Sequence, residues 1–446
     1  MILILILLIP EYGLNANPIK PETKTLGVAF PSGLPNSFAV STLFLDSSLL
    51  TQAKKIYQSN ERNGLFVPEI TKLIQEANTY LRVRPPSVMD KAVMPPNVTK
   101  HDYLSLTPYR WPNPDTPNGL PYLFRDGETN PEVHLISDKD NMDKMVIMAK
   151  VLSLAYFFTD DSKYAAKVQE LLRVWFLNED TRMNPNLEYS ELIRGISKVN
   201  PSGVIAGGYL TNLFDVIPIM EKSSTWTRQD KEGMEKWFGQ YLDWLLHSKA
   251  GTIESLKLNN HGTYYYVQVT SIALFLNKTD IVKKILQQTM QDPSTATFSD
   301  VPKLISFKIF ADGRQPFELS RTKSLDYSLF NLLGLFKLAI IGEHVGINLW
   351  NYKTADGGGL RKALDHLIPY ALGEKDWPYE QLKSFQKEYL ADLLCQASIR
   401  YKSDNKYQSY LSYYESLNSV EKPMNKGKYG ICVAGQLITD STFRYY

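Results

Sequence analysis

Helical periodicity runs through most of the chain, and this feature most limits what the chain can fold into. In the stretch SKYAAKVQELLRVWFL (162–177), apolar side chains recur every three or four residues and fall on one face of a helix. Similar stretches cover residues 141–158, 228–247, 262–276, 279–291, 325–342, 360–372, 380–400 and 405–416. Alternating strand patterns are scarce. The sequence therefore predicts an all-α chain of paired helices.

The first ten residues, MILILILLIP, contain an apolar run that is as long as a signal-peptide core and too short to span a membrane. The residues that follow are rich in Pro, Ser and Gly. We therefore predict a signal peptide at 1–16, an extended N-terminal segment at 17–45, one helical domain at 46–420 and a C-terminal tail at 421–446. We expect a secreted or periplasmic protein without a membrane anchor, because no later stretch reads as a transmembrane helix.

Charge and residue counts exclude several classes of function. The net charge is +2, from 49 basic and 47 acidic residues, and no long basic run is present, so we expect no nucleic-acid partner. Cys395 and Cys432 do not have the spacing of a metal site, and the six histidines are scattered without an HExxH pair. We expect neither a metal nor a cofactor. One disulfide between the two cysteines stays open.

Three polar residues, Asn259, Asn260 and His261, stand directly before the apolar run at 262–276. One asparagine is explained as a helix N-cap. A second asparagine and a histidine are not needed for capping. The positive end of the helix dipole disfavours a charged imidazole, so the position predicts a neutral His261 that can accept a proton. A capped helix with a packed histidine is the alternative.

Two long loops interrupt the helical pattern, at Thr107–Val133 and at Phe310–Ser328. Loops of this length inside a domain are usually functional or disordered, and the aromatic residues of the first loop favour an ordered one. In the second loop, Arg321 offers a planar fork for a carboxylate. Six residues later, Tyr327 can donate or accept a proton.

Together, Asn260, His261, Arg321 and Tyr327 suit the elimination of a 4-linked uronic acid. Asparagine and arginine would hold the sugar carboxylate and stabilise the charge that develops on it. Histidine or tyrosine would remove the C5 proton, and tyrosine would return a proton to the leaving oxygen. Two alternatives remain. One is a glycoside hydrolase with a pair of carboxylates drawn from Asp312, Glu318 and Asp326. The other is a glycan-binding protein without catalytic activity.

At these residues the chain resembles the alginate lyase superfamily of polysaccharide lyases, over roughly residues 105–372. Asn260-His261 is similar to the Asn-His pair of that family. The run Glu318-Leu319-Ser320-Arg321, with Leu325 and Tyr327 after it, is similar to its Arg and Leu-x-Tyr segment. The resemblance implies an incomplete (α/α) toroid of helix hairpins, a polysaccharide lyase activity, an acidic polysaccharide as substrate and no cofactor.

The resemblance also implies roles for single residues. Asn260 and Arg321 would hold the uronate carboxylate, His261 would neutralise it or act as the base, and Tyr327 would transfer protons. The predicted substrate-binding residues are Asn259, Arg314, Tyr109, Arg110, Trp111 and Tyr264.

Three positions depart from the pattern of the best-known alginate lyases. Ser328 follows Tyr327 where those enzymes have a histidine, the Arg–Tyr spacing is one residue shorter, and Gly262 replaces a bulky residue. These differences indicate a distant branch. They leave open whether the substrate is a mannuronate, guluronate or glucuronate polymer.

Overall fold

The structure is a computed structural model that describes residues 40–59, 67–95, 98–196 and 198–418. The predicted signal peptide at 1–16, most of the segment at 17–45, the tail at 421–446 and Cys432 lie outside the described residues. Cys395 is buried in the core. The predicted domain limits stay predictions.

Helix accounts for 59% of the structure and strand for 4%, which confirms the all-α class. The α-helices of the described ranges are α1 (Ser47–Gln58), α2 (Val67–Tyr80), α3 (Asp138–Thr159), α4 (Ser162–Leu172), α5 (Leu213–Met220), α6 (Arg228–His247), α7 (Lys249–Ser255), α8 (Asn260–Phe275), α9 (Thr279–Thr289), α10 (Ile305–Lys308), α11 (Pro316–Leu319), α12 (Ser324–His344), α13 (Leu360–Ala371), α14 (Lys387–Arg400) and α15 (Lys406–Asn418). A π-helical turn, Arg173–Leu177, continues α4, and a 3₁₀ segment, Pro201–Asn212, leads into α5.

The helices form two layers that differ in burial. Helices α3, α8 and α12 are buried around most of their circumference, whereas α4, α9 and α13 bury one face each. A helix that is apolar on all sides must be surrounded by protein, and an amphipathic helix must cover such a helix from outside. Each inner helix packs against the outer helix that follows it, and α8 packs against α12. This arrangement confirms the incomplete (α/α) toroid.

Within the described ranges, four short strands lie between the helices. Strand β1 (Leu104–Leu106) pairs in parallel with β4 (Tyr189–Leu192). Strands β2 (Arg110–Trp111) and β3 (Leu123–Phe124) form an antiparallel hairpin inside the first long loop. The loop is therefore ordered, as its aromatic residues predict. Both pairs lie next to the residues that make the site.

The start of α14 differs from the sequence prediction. The prediction placed it at residue 380, whereas the helix begins at Lys387. The segment before it runs along the N-terminus of α12. The carbonyl of Glu380 accepts from the main-chain N–H of Ser324 at 3.1 Å, and the side chain of Gln381 accepts from that of Leu325 at 2.9 Å. These residues satisfy the first N–H groups of α12, which have no partner within their own helix.

Two segments correct the expectation that no stretch after the leader has the composition of a membrane span. Pro201–Met220 and Ser324–His344 are long and apolar enough, yet 89% and 94% of their most apolar windows are buried inside the protein. Because both are buried inside the protein, their apolar composition is explained by packing against other helices.

Candidate active site

The N-terminus of α8 holds the first part of the site. Asn259 caps the helix, and its side-chain oxygen accepts from the main-chain N–H of His261 at 3.3 Å. Asn260 is completely buried. Its main-chain N–H and its Nδ2 donate to the two carboxylate oxygens of Glu318 at 2.6 and 2.7 Å. Glu318 therefore ties α8 to α11, while the Oδ1 atom of Asn260 is buried without a hydrogen-bond partner among the described residues.

His261 is held by a carboxylate that the sequence analysis did not identify. Its Nδ1 lies 2.6 Å from Oε1 of Glu254, a buried residue of α7. Burial alone would lower the pKa of His261, but the charge and hydrogen bond of Glu254 outweigh it, so the net shift is upward. This direction is opposite to the one that the helix N-terminus alone predicts. The helix dipole is weaker than a carboxylate at hydrogen-bond distance.

Arg321, in the second long loop, is the centre of the other part of the site. Its Nε and Nη2 donate to the carboxylate of Asp126 at 2.9 and 2.7 Å. Its guanidinium carbon lies 4.1 Å from the centroid of the Tyr327 ring. Burial would raise the pKa of Asp126, but the hydrogen bonds and charge of Arg321 hold it below its ordinary value. The arginine is thus fixed between a carboxylate and an aromatic face.

Tyr327 and Tyr109 form a buried pair of hydroxyl groups. The hydroxyl of Tyr327 donates to that of Tyr109 at 2.8 Å. Burial raises the pKa of Tyr327 well above its ordinary value, and Arg321 opposes that shift. Burial also raises the pKa of Tyr109 to about 12, against the hydrogen bond from Tyr327 and the charge of Arg321. Both hydroxyls are therefore protonated in the resting site.

The two halves are brought together around Arg321. Its charge acts on the pKa of His261 and on that of Glu318, the partner of Asn260, while its guanidinium lies over Tyr327. The structure thus assembles the predicted catalytic residues into one group, with Tyr109 added. We call these residues the catalytic cluster: Tyr109, Asn260, His261, Arg321 and Tyr327.

The β2–β3 hairpin carries two further predicted binding residues. The guanidinium of Arg110 lies 5.2 Å from the ring centroid of Phe124, and that of Arg125 lies 5.4 Å from the ring centroid of Trp111. Phe124 is 58% exposed. The hairpin follows Tyr109 directly and therefore presents cationic and aromatic surface beside the catalytic cluster.

Tyr264 and Arg314, two of the predicted binding residues, belong to groups separate from the catalytic cluster and the hairpin. Tyr264 is completely buried, stacks on Phe330 at 4.1 Å and donates its hydroxyl to a main-chain carbonyl. Its position on α8 turns it into the core, and this corrects its assignment to substrate binding. Arg314 donates to Asp312 at 2.6 Å and to the Tyr379 hydroxyl at 3.4 Å, in a separate surface group.

The carboxylates considered for a hydrolase are each engaged elsewhere. Asp312 accepts from Arg314, and Glu318 accepts from Asn260. Asp326 accepts from the Gln381 side chain and from the main chain of Gln386. A hydrolytic pair needs two carboxyl groups that face one sugar ring. Glu318 and Asp326 are buried, whereas Asp312 is exposed, so the three do not share one environment.

Sequence reasoning missed three acidic residues of the site, Asp126, Glu254 and Glu191. Glu191 lies in β4, and its charge acts on the pKa of both His261 and Tyr109. All three become visible only through contacts between distant segments, so no local pattern could have identified them. Among the residues that the structure describes, no group of three or more His, Cys, Asp or Glu side chains could hold a metal ion.

Comparisons with known proteins agree on one family. A profile of the family described as Alginate lyase matches residues 87–377. A crystal structure of an alginate lyase from Bacteroides ovatus is similar with a TM-score of 0.78 and 33% sequence identity, over 88% of this chain and 99% of that chain. Alginate lyase A1-III from Sphingomonas species A1 gives a TM-score of 0.47 and 16% identity, over 77% of this chain and 90% of its own. The comparison with curated protein sequences returned no match.

Proposed function

The chain belongs to the alginate lyase family, and from this premise we propose that it cleaves a 4-linked polyuronate, such as an alginate block, by β-elimination. The observation that carries the proposal is the position of Arg321, which lies over the ring of Tyr327 and acts on His261. A cation, a proton-transferring hydroxyl and an imidazole thus converge. The reaction needs these groups around the C4–C5 bond of the uronate.

The first requirement is to make the C5 proton acidic. A charged uronate carboxylate opposes the removal of this proton, because the intermediate would carry two negative charges. In the proposal, the protonated form of His261, which Glu254 favours, neutralises the carboxylate. The amide of Asn260 has a second N–H beside the one that Glu318 accepts, and it adds a donor. The half-buried Asn259 supplies a further amide at the mouth.

Tyr327 then moves the protons. Because the charge and hydrogen bond of Glu254 raise the pKa of His261 against the effect of burial, we assign both proton transfers to tyrosine and infer a syn elimination. In the proposed step, Tyr327 first loses its hydroxyl proton to solvent, and the charge of Arg321 favours this ionisation against the effects of burial and of Tyr109. The phenolate of Tyr327 then takes the C5 proton. The C4–C5 double bond forms, the C4–O4 bond breaks, and the same hydroxyl gives its proton to the leaving oxygen. Each proton and electron pair is thereby accounted for without a metal or a cofactor.

The β2–β3 hairpin supplies the proposed subsites next to the reacting sugar. Arg110 and Trp111 offer a cation and an aromatic face, which suit an acidic sugar chain. Arg314 would contact a sugar farther along the chain, through its surface group with Tyr379. The apolar leader at residues 1–10 favours export to the periplasm or the medium, where such polymers would be met.

Ultraviolet absorbance of the conjugated, unsaturated uronate product tests the function. Purified protein is mixed with mannuronate and guluronate blocks, glucuronan, pectate and hyaluronan, and the Tyr327→Phe variant serves as the control. A rise with one polymer, absent from the variant, establishes elimination and identifies the substrate. A flat trace on every polymer, with reducing ends released, would show a hydrolase instead. A flat trace without reducing ends would favour a binding protein.

A further inference from the structure

Glu191 has a backbone conformation that is unusual for its residue type. Its φ is +53° in strand β4. The other non-glycine residues with positive φ in the described ranges are Asp160 and Asn277. Both lie at the C-terminal ends of helices, where the left-handed conformation is common. A glutamate inside a strand has no comparable reason to adopt a positive φ. Non-glycine residues with such a strained backbone cluster at functional sites.

The strain coincides with a bulge in the β1–β4 pair. Leu104 lies opposite Tyr189, and Leu106 lies opposite Leu192, so two residues of β4 face Ser105 alone. The hydroxyl of Ser105 accepts from the main-chain N–H of Glu191 at 2.8 Å. The side chain of Asn200 donates to the Glu191 carbonyl at 3.0 Å. Both main-chain groups of Glu191 are thus held by side chains. Bulges commonly turn a side chain towards a site.

The bulge turns Glu191 towards a small cavity beside the catalytic cluster. The cavity has a volume of about 20 Å³, and Glu191 lines it together with Pro108, the neighbour of Tyr109. A volume of this size holds about one water molecule or one oxygen atom of a ligand. Glu191 therefore lies between the β2–β3 hairpin, which follows Tyr109, and the N-terminus of α8.

Charged and titratable groups face Glu191 from several elements. They are His261 of α8, Glu254 of α7, Lys139 and Asp143 of α3, Tyr209 of the 3₁₀ segment, and Tyr103 and Tyr109 of the chain around β1. Burial raises the pKa of Glu191 to about 7, and the charge of His261 opposes this shift. The carboxyl group is thus neutral in mildly acidic solution and ionised in alkaline solution.

We propose that Glu191 is a substrate-facing residue of the site, which donates a hydrogen bond to the uronate when its carboxyl group is neutral and repels the uronate when it is ionised. The proposal rests on the proposed lyase function and adds to it a pH-dependent selection for an acidic sugar. A protonated carboxyl group has one O–H donor, whereas the ionised form has acceptors only. Ionisation therefore replaces an attraction with a repulsion between two anions at close range.

The test follows substrate affinity across pH in the full-length protein. We would measure KM and kcat of the wild type and of Glu191→Gln between about pH 5.5 and 8.5, which spans the titration of a carboxyl group near pH 7. The dissociation constant for an unsubstituted uronate oligosaccharide is measured by calorimetry in parallel. Asp143→Asn is the matched control, because Asp143 lines the same cavity and pairs with Lys139.

We expect KM and the dissociation constant of the wild type to rise about tenfold per pH unit above pH 7, as for a single ionisation that blocks binding. Glu191→Gln should show a clearly smaller rise of both values, because its amide remains a donor at every pH and only the titration of His261 then affects binding. Asp143→Asn should show the same rise of KM and of the dissociation constant with pH as the wild type. Glu191→Gly, which suits the left-handed backbone, serves if the glutamine variant does not fold. It should bind weakly at low pH and lose the pH dependence.

Two results would overturn the proposal. One is an unchanged rise of KM with pH in Glu191→Gln. The other is a rise of KM in Glu191→Gln that has the same size but occurs at lower pH. That result would assign the pH dependence to His261. Failure of the proposed lyase function looks different, because the wild type would then form no unsaturated product. Calorimetry on the same variants would still decide whether Glu191 governs binding of the uronate.

Discussion

The hydroxyl of Tyr327 donates a hydrogen bond of 2.8 Å to the hydroxyl of Tyr109, across 218 residues of sequence. This bond joins α12 to the first long loop. Arg321 lies over the Tyr327 ring at 4.1 Å, so a cation stands beside a pair of coupled hydroxyls. The charge of Arg321 opposes the effect of burial on the pKa of both tyrosines. The proposed elimination places both proton transfers at this pair.

The first prediction concerns the Tyr327 hydroxyl. Tyr327→Phe should reduce turnover to background while lowering the free energy of unfolding by only about 1 kcal/mol, the typical contribution of one hydrogen bond. Product absorbance and thermal unfolding measure the two effects. Tyr264→Phe is the matched control, because it also removes a buried hydroxyl that donates to another group, but in the core. That control should keep its activity.

Near-normal turnover in Tyr327→Phe would remove this residue from the mechanism and would point to His261 as the base. An equal loss of activity in Tyr264→Phe would mean that the effect of either change is structural.

The second prediction concerns the fork of Arg321. Arg321→Lys should lower kcat by about tenfold or more, because lysine cannot donate in parallel to both oxygens of Asp126 or stack as a plane on Tyr327. Steady-state kinetics give kcat and KM separately. Arg173→Lys is the control, since Arg173 makes an equivalent forked pair with Asp230 away from the site. A similar fall of kcat in both variants would contradict a specific role for Arg321.

The third prediction concerns the link between α8 and α11. Glu318→Ala should lower the free energy of unfolding by about 2–5 kcal/mol, because two buried N–H groups of Asn260 would lose their acceptor. Glu318→Gln keeps one carbonyl oxygen and should lose less. Denaturant unfolding monitored by circular dichroism measures both. If Glu318→Gln instead abolished cleavage at unchanged stability, Glu318 would be a reacting group, as the hydrolase alternative requires.

The fourth prediction concerns the dependence of stability on pH. The pKa of His261 is raised in the folded state, chiefly by Glu254 against the effect of burial. The pair therefore stabilises the fold fully below about pH 6.5, the ordinary histidine value. That contribution is lost as the pH rises through the raised pKa of the folded state.

Glu254→Gln removes the charge that raises this pKa, so its free energy of unfolding should be lower at acidic pH and should change less above about pH 6.5. Urea unfolding at several pH values measures the slope. If the free energy of unfolding changed equally with pH in the variant and the wild type, the His261–Glu254 pair would be excluded as the cause of the pH dependence.

The inner and outer helices were predictable because the pattern of apolar residues that specifies each helix lies within the helix itself. The period of apolar residues identified α3, α6, α8, α12 and α13 with limits close to those observed. The start of α14 was misplaced because the segment before it is held by the N-terminus of α12, a contact that no local pattern encodes.

The site was predictable only in part, for the same reason. Asn260, His261, Arg321 and Tyr327 follow from motifs. Their partners do not, because Asp126 comes from a loop that lies 195 residues from Arg321 in sequence. Glu254 lies on a separate short helix and acts through a single contact with His261. The upward direction of the pKa shift of His261 was therefore not predictable from its place at a helix N-terminus.

The long sequence separations within the site have a consequence for when activity can arise. A hydroxyl pair that closes a loop of 218 residues, and an ion pair that closes one of 195, form only after the intervening helices have packed. A nascent or truncated chain that lacks α12 therefore has helices but no catalytic centre. Recovery of lyase activity during refolding would thus report the packing of all the helices between the first long loop and α12, rather than the formation of any one hairpin.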